Sequence, residues 1–258
     1  MSYSKRRRLH RNCLSGRLFK ESKILKKLPK EKMGVSNLGW LESRFHFSFA
    51  EYVNHDNLNF GVLRVLNDDI IHPDSGFSTH PHRDMEIISY VVDGEITHKD
   101  SMGNEETLSA GEVQYLSAGT GIQHSERNIS TTRDLRLLQI WIIPPEKNLD
   151  PLYGSHKYEP NERKNKLLNV VSSLNGEAKI KIYQDVKIYV CELDAGKETH
   201  YEIGADRQIY FVQITGDARI NATELSHGDA MEMTKEKNLN AKALSDCHFL
   251  FIDMPSAS

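Results

Sequence analysis

Two short segments of the chain carry side chains that suit metal chemistry. His80 and His82 flank a proline, and His124 and Glu126 flank a serine. Side chains two positions apart on a β-strand point to the same face, so both members of each pair can reach one cavity. Three imidazole nitrogens and one carboxylate suit a transition metal better than Ca²⁺ or Mg²⁺. The two pairs therefore predict a single transition-metal site.

The number of ligands indicates what such a metal would do. Four protein ligands leave one or two coordination positions for water, dioxygen or a substrate oxygen, as in mononuclear oxygenases. We expect one divalent transition metal ion per chain. Fe(II) is the first expectation, and Mn, Co, Ni, Cu and Zn also suit this set of ligands. The sequence contains no Cys-x-x-Cys pair, so a closed structural zinc site is not expected.

The elements that must position these pairs are predicted to be short β-strands. Apolar and polar residues alternate from about Trp40 onward, most clearly in residues 45–49, and Gly-Asp or Gly-Asn turns separate the runs. Further strands are predicted at Ile24–Leu28, 61–66, 86–92, 113–116, 135–143, 179–183, 187–193, 209–214 and 248–254. A short helix is predicted near 165–174. Regular short strands of this kind are typical of a sandwich or jelly roll.

A faint internal repeat indicates two domains of one kind. Residues 108–113, Leu-Ser-Ala-Gly-Glu-Val, resemble residues 225–230, Leu-Ser-His-Gly-Asp-Ala, and a Gly-acid turn precedes each segment. A linker with four prolines lies between the halves, around residues 144–166. We therefore predict two copies of one β-barrel domain in tandem.

The predicted domains are residues 24–150, which contain both metal-binding pairs, and residues 151–258, after a basic extension at 1–23. Residues 1–32 hold twelve Lys or Arg and two acidic residues, so residues 33–258 carry −13 in a chain of net charge −3. A basic arm can bind nucleic acid or act as an address, but a poorly ordered extension is the simpler prediction. The acidic body is not expected to bind nucleic acid.

Composition indicates a soluble globular protein. Hydrophobic residues make up 38% of the chain and charged residues 27%, with a mean hydropathy of −0.54. No apolar run approaches the roughly 18 residues of a membrane-spanning helix, and no secretory signal is recognisable. Cys13, Cys191 and Cys247 are odd in number and far apart, which favours reduced thiols. A cytoplasmic location without a membrane partner is expected.

Longer motifs resemble the cupin superfamily and, within it, the pirin family. The spacing of Gly, His-x-His, Glu and Gly in residues 76–94 approximates the first cupin motif, and residues 111–128 approximate the second. Thr-His-Pro-His at 79–82 and Ser-Ala-Gly-Thr-Gly-Ile-Gln-His-Ser-Glu at 117–126 resemble the two pirin signatures. Ser117 replaces a cupin proline, and two residues are inserted before the second-motif histidine. Pirin-type cupins share these departures.

The resemblance implies a fold and a ligand set. The fold is all-β, with two tandem cupin (jelly-roll β-barrel) domains packed as a bicupin. By analogy with the family, His80, His82, His124 and Glu126 bind the metal. Glu86, a ligand in many other cupins, is expected to have a structural or supporting role instead.

The C-terminal half offers no His-x-His and no His-Ser-Glu segment. Its residues His200, His227 and His248 are expected to be ordinary polar residues. The second cupin is therefore expected to be degenerate and metal-free, and to pack against the first.

The resemblance further implies a quercetin 2,3-dioxygenase-type reaction. Such an enzyme opens a flavonol with O2 and releases carbon monoxide. Glu126 is the expected general base for the flavonol 3-hydroxyl, because it is the only ionisable acceptor among the four ligands.

Two alternatives remain open at the level of sequence. One is a non-enzymatic regulator that senses metal or redox state and binds a protein partner, as linked to animal pirins. The other is an isomerase or another small-molecule cupin that uses the metal as a Lewis acid. An enzyme that encloses a flavonol needs a cavity of several hundred cubic ångströms, on the order of 300 Å³ or more, beside the metal, whereas a regulator does not.

Overall fold

The structure, a computed structural model, describes residues 24–256, so the predicted basic extension at 1–23 lies outside the described residues. The first half of the described chain forms strands and one short 3-10 helix. These are β1 (Ile24–Leu28), the 3-10 helix Lys30–Lys32, β2 (Gly34–Asn37), β3 (Leu41–Phe45), β4 (Leu63–Ile71), β5 (Ser75–His82), β6 (Glu86–Asp93), β7 (Glu95–Asp100), β8 (Glu105–Ser109), β9 (Glu112–Ser117), β10 (Ile122–Asn128), β11 (Leu135–Ile142) and β12 (Leu152–Lys157).

The second half repeats this organisation after one turn of helix. Its elements are α1 (Pro160–Arg163), β13 (Leu168–Ser173), β14 (Ile180–Ile182), β15 (Lys187–Leu193), β16 (Glu198–Glu202), β17 (Arg207–Thr215), β18 (Ala218–Ile220), β19 (Thr223–Leu225), β20 (Ala230–Thr234), β21 (Asn238–Ala243) and β22 (Cys247–Pro255). The helix predicted near 165–174 is wrong, because its β-branched centre pairs with β15 as strand β13.

Each half builds a large sheet and a small one. The large sheets have the orders β12-β9-β6-β11-β4-β3-β2 and β1-β20-β17-β22-β15-β13-β14, and the small sheets β5-β10-β7-β8 and β16-β21-β18-β19. Eight consecutive strands, β4 to β11, therefore occupy the same positions as β15 to β22. The predicted all-β bicupin and its internal repeat are confirmed. Among the described residues, no helix is long and apolar enough to cross a membrane.

The edge strands of each large sheet come from outside the repeated set of eight strands. Strand β1 pairs antiparallel with β20, with Ile24 opposite Thr234 and Leu28 opposite Ala230. Strand β12, within the linker, pairs antiparallel with β9. The predicted strand at Ile24–Leu28 is thus confirmed. The domain boundary at residue 150 stays a prediction, and these two strands cross it.

The largest apolar cluster lies between the two barrels. It joins the outer faces of both large sheets, through residues such as Leu138, Ile140 and Tyr90 on one side and Tyr210 and Leu250 on the other. Burial of this much apolar surface holds the large sheets face to face. The open side of the first barrel, where β5 and β10 lie, points away from this interface.

Glu86 fastens the two barrels at one end of this interface. Its buried carboxylate accepts hydrogen bonds from the backbone N–H groups of Tyr183 (2.7 Å) and Gln184 (3.0 Å) and from the Tyr115 hydroxyl (2.9 Å). Burial raises the pKa of Glu86, and the three donors oppose that rise. The structural role expected for Glu86 is confirmed.

Two buried tyrosine–histidine hydrogen bonds also cross the interface. His46 Nδ1 lies 3.0 Å from the Tyr210 hydroxyl, and His248 Nε2 lies 2.9 Å from the Tyr90 hydroxyl. Burial lowers the pKa of both His46 and His248 to about 4. Both imidazoles are therefore neutral at pH 7, and protonation would place a charge in the apolar interface.

We predict that His46 makes the folded protein sensitive to mild acid. Because its folded pKa lies below the unfolded value of 6.5, stability is complete above pH 6.5 and is lost as the pH falls toward 4. Between pH 7 and 5 this one group should cost about 2 kcal/mol. Urea unfolding of wild type and His46→Gln at both pH values measures the difference. An equal loss in both proteins would contradict the prediction.

Candidate metal centre

Strands β5 and β10 carry the four predicted residues; His80, His82 and His124 converge, whereas Glu126 groups with His124 and His98. The two strands pair antiparallel, with His80 opposite His124 and His82 opposite Ile122. A β-bulge between His124 and Glu126 shifts the register, so Glu126 lies opposite Phe77. The bulge changes the direction of the strand locally, and both His124 and Glu126 remain buried on the interior side.

Three imidazole rings converge at this point. The ring centroid of His124 lies 4.5 Å from that of His80 and 4.9 Å from that of His82, and the last two are 4.8 Å apart. One ring nitrogen from each histidine lies within 4.8 Å of a nitrogen of the other two. Three neutral imidazoles at this separation can share one cation.

The hydrogen bonding of these rings fits a metal. His124 is 1% exposed, yet neither of its ring nitrogens has a hydrogen-bond partner among the described residues. The Nδ1–H of His80 donates to the Ser78 carbonyl at 2.8 Å, which leaves the Nε2 lone pair available. A buried, unpartnered imidazole is costly, so a bound cation would satisfy a group that the fold leaves unsatisfied.

Burial and the neighbouring histidines keep two of these rings neutral. Together they lower the pKa of His124 to about 3 and that of His82 to about 4, and burial is the larger cause. Metal ions bind the neutral form of imidazole, so His82 and His124 are in their binding form throughout the physiological pH range.

The carboxylate of Glu126 is held by three side-chain donors. Oε1 accepts hydrogen bonds from Ser89 Oγ (3.2 Å) and Gln114 Nε2 (3.1 Å), and Oε2 accepts one from Gln139 Nε2 (2.9 Å). Glu126 is 2% exposed. Donors on both oxygens fix the orientation of the carboxylate.

These donors belong to a polar row across the large sheet of the first barrel. The register places Asn67 on β4 opposite Gln139 on β11, Gln139 opposite Ser89 on β6, and Ser89 opposite Gln114 on β9. All four side chains are buried on the inner face. Apolar clusters fill the barrel on either side of the row, around Leu137 and around Ile87 and Ile122.

His98 is a site residue that sequence reasoning missed. It lies on β7 opposite Glu126, and its Nδ1 accepts a hydrogen bond from Gln114 Nε2 (3.2 Å) while Nε2–H donates to Asp100 (3.1 Å). His98, His124 and Glu126 form a second group of ligand atoms within 4.8 Å of one another. The available signal was the buried alternation Ile96, His98, Asp100, with polar residues on an inward face.

A cavity of about 190 Å³ opens beside the histidines. Its walls combine apolar and polar side chains; they are Phe49, Asn67, Asp69, Phe77, His80, His82, Ile87, His124, Glu126, Gln139 and Trp141. Burial, together with the nearby carboxylates of Asp68 and Glu126, raises the pKa of Asp69 to about 7 against the effect of a hydrogen bond from Ser43. The volume is below the several hundred cubic ångströms expected of a pocket that encloses a whole flavonol.

The second barrel has no comparable cluster of ligand atoms among the described residues. His200 on β16 lies opposite Asn240 on β21, but both side chains are exposed, and His200 Nδ1 contacts the side-chain Oδ1 of Asn240 (2.8 Å). The row that corresponds to the polar row is apolar or aromatic: Tyr189, Phe251, Phe211 and Met231. His248 lies in the interface between the barrels, and His227 is exposed near Arg136. These three histidines thus have ordinary structural surroundings.

Fold and site together define a bicupin with a histidine-rich centre in one barrel. Residues 27–142 match the sequence model of the family described as Pirin, and residues 169–254 match that of the quercetinase C-terminal cupin domain. Quercetin 2,3-dioxygenase of Escherichia coli strain K12 is 39% identical over 222 residues, 86% of this chain and 95% of that protein. A pirin-like protein of Caulobacter vibrioides is 38% identical over 231 residues, 89% and 99% of the two chains. The chain belongs to the pirin family.

Solved structures agree with this assignment. The crystal structure of YhhW from Escherichia coli has a TM-score of 0.87 and 37% identity, and it matches 91% of this chain and 99% of that one. The same bacterial pirin in complex with nickel(II) has a TM-score of 0.86, with 91% and 100% coverage. Together with the histidine cluster, this similarity supports a bound divalent metal ion.

Gly76 allows β5 and β10 to approach each other, and we predict that it is needed for metal binding. It has a φ of +151°, and a Cβ added there would lie 2.3 Å from the Glu126 carbonyl oxygen. Gly76→Ala should therefore displace β10 and weaken metal affinity by about tenfold or more. Metal content after dialysis against a chelator measures this.

Gly154→Ala is the matched control, because no atom lies within 4 Å of the added Cβ. If both variants retain metal equally well, the close approach at Gly76 is unimportant for the centre.

Proposed function

We propose that this pirin is a metal-dependent dioxygenase that uses O2 to cleave hydroxylated aromatic compounds of the flavonol type, such as quercetin. In this proposal His80, His82, His124 and Glu126 hold one divalent metal ion, with Fe(II) as the first choice and Mn, Co, Ni, Cu or Zn as alternatives. The observation that carries the proposal is the buried, unpartnered His124 among two other histidines at the edge of an aromatic cavity. A cytoplasmic location belongs to the same proposal.

Different side chains have different roles in such a reaction. When bound, the metal supplies a Lewis acid and a coordination position for dioxygen or the substrate oxygen. Glu126 takes the proton of the substrate hydroxyl as general base, because its carboxylate is oriented by three donors at the cavity wall. Phe49, Phe77 and Trp141 exclude water and offer faces for a planar ring.

The size of the cavity limits how a flavonol can bind. A volume of about 190 Å³ is small beside the roughly 300–1,000 Å³ of pockets that enclose drug-sized ligands. Only one part of a three-ring flavonol would enter, and the remainder would extend through the mouth beside the half-exposed His80 and His82.

The same small volume favours a second candidate, a metal-sensing regulator that binds a protein partner. Such a protein needs the metal centre but no room for a large substrate. Turnover by metal-loaded protein separates the two functions: one metal per chain without loss of any flavonol would favour the regulator.

We predict that metal binding depends on the first barrel alone. Elemental analysis should find about one transition metal ion per chain in wild type, because the two groups of converging ligand atoms share His124. His124→Ala should lose it, whereas His200→Ala, which changes an exposed histidine on β16 of the second barrel, should keep it. Metal retained by His124→Ala, or none bound by wild type after reconstitution, would remove the basis of the proposal.

We predict that Glu126→Gln lowers flavonol turnover by a factor of about 100 or more, either through a weakened centre or through loss of the base. The kinetics are measured on protein of known metal content, so that the two causes are distinguished. Glu105→Gln, an exposed position on the same barrel, is the control. Unaltered turnover in metal-loaded Glu126→Gln would exclude Glu126 from the reaction.

A further inference from the structure

Besides the two ring nitrogens of His124, three buried polar atoms at the cavity have no hydrogen-bond partner among the described residues. They are Asn67 Oδ1, Asp69 Oδ1 and Trp141 Nε1. Asn67 and Asp69 are each 3% exposed. They lie two positions apart on the inward face of β4, and Trp141 lies on the adjacent strand β11. Three unpartnered atoms on two neighbouring strands therefore face one small space.

Leaving these atoms without hydrogen-bond partners does not stabilise the fold. A buried polar atom without a partner destabilises a protein, and a buried carboxylate does so most. The neighbouring Asp68 differs. Its side chain lies on the opposite face of β4 and accepts two hydrogen bonds from Arg136, at 2.8 and 2.7 Å. Polar groups at the cavity that are kept at a cost to stability point to a ligand that completes them.

The chemistry of the three groups describes that ligand. Asn67 Oδ1 and the Asp69 carboxylate accept hydrogen bonds, and Trp141 Nε1–H donates one. Phe49, Phe77 and the ring of Trp141 form aromatic walls beside them. The complement is a flat ring with two hydroxyl donors and an oxygen acceptor, and a cavity of about 190 Å³ has the scale of one such ring.

We propose that Asn67, Asp69 and Trp141 form a subsite that binds the hydroxyl groups of a single aromatic ring next to the metal centre. The ligand class is a one-ring polyhydroxylated aromatic compound, or one hydroxylated ring of a larger molecule. The subsite rests on the proposed function only in that the ligand enters the cavity of the metal centre. The proposed subsite places the residues that determine ligand specificity on β4 and β11, whereas the proposed metal ligands lie on β5 and β10.

The test combines ligand affinity with stability. Isothermal titration of metal-loaded, oxygen-free protein uses resorcinol, whose 1,3-hydroxyls do not chelate a metal. Asp69→Asn should bind it about tenfold or more weakly, because a charged acceptor is lost. The same variant should unfold about 2–4 °C higher at pH 8, because a buried charge is removed. A structural role for Asp69 predicts the opposite change in melting temperature.

Asn67→Leu serves as a second variant, with the same two expectations, if Asp69→Asn does not fold. Asp93→Asn, whose side chain is 70% exposed, is the control and should change neither quantity. Unchanged affinity in both cavity variants, or no binding of resorcinol by wild type, would overturn the subsite. Turnover is not measured, so failure of quercetin cleavage leaves this result intact.

Discussion

The structure of the first barrel depends on how the Glu126 carboxylate is satisfied. Its backbone belongs to the small sheet, but its three donors, Ser89, Gln114 and Gln139, come from three strands of the large sheet. One buried carboxyl group thus links the two sheets and requires a polar row at that level of the barrel. The converging histidines, the support from His98 and the unpartnered groups of the cavity all lie around this row.

The contrast between the barrels shows how little backbone change the centre requires. Eight strands match in position, yet the row at the corresponding level of the second barrel is filled by Tyr189, Phe251, Phe211 and Met231. An aromatic interior needs no ion for its stability, and it gives the first barrel a rigid surface to pack against. The buried carboxylate of Glu86 and the tyrosine–histidine pairs fix the relative position of the two barrels.

The sequence predicted the features that depend on local spacing. Two i, i+2 pairs were enough to predict the histidine cluster, and the alternation of strand residues with the internal repeat predicted two β-barrel domains. The bicupin fold was implied by the resemblance to the pirin family. The helix predicted near 165–174 was wrong, because pairing with β15 overrides local preference. His98, Asn67 and Asp69 could not be assigned from the sequence. Their roles depend on which residues lie opposite each other across strands, and that register is set by long-range pairing.

The pairing of the edge strands β1 and β12 has a consequence for the order in which the two barrels form during synthesis on the ribosome. Strand β12 follows its barrel directly in sequence, so the metal-binding barrel can be completed as soon as residue 157 has emerged. Strand β1 is synthesised early, but its partner β20 spans residues 230–234. Strand β1 therefore stays unpaired while about two hundred further residues are synthesised. This takes roughly 10–40 s at typical rates of protein synthesis, and an unpaired strand can pair with other chains during that time. The two lysines of β1, Lys26 and Lys27, carry charge on that segment and oppose premature pairing with other chains in the meantime.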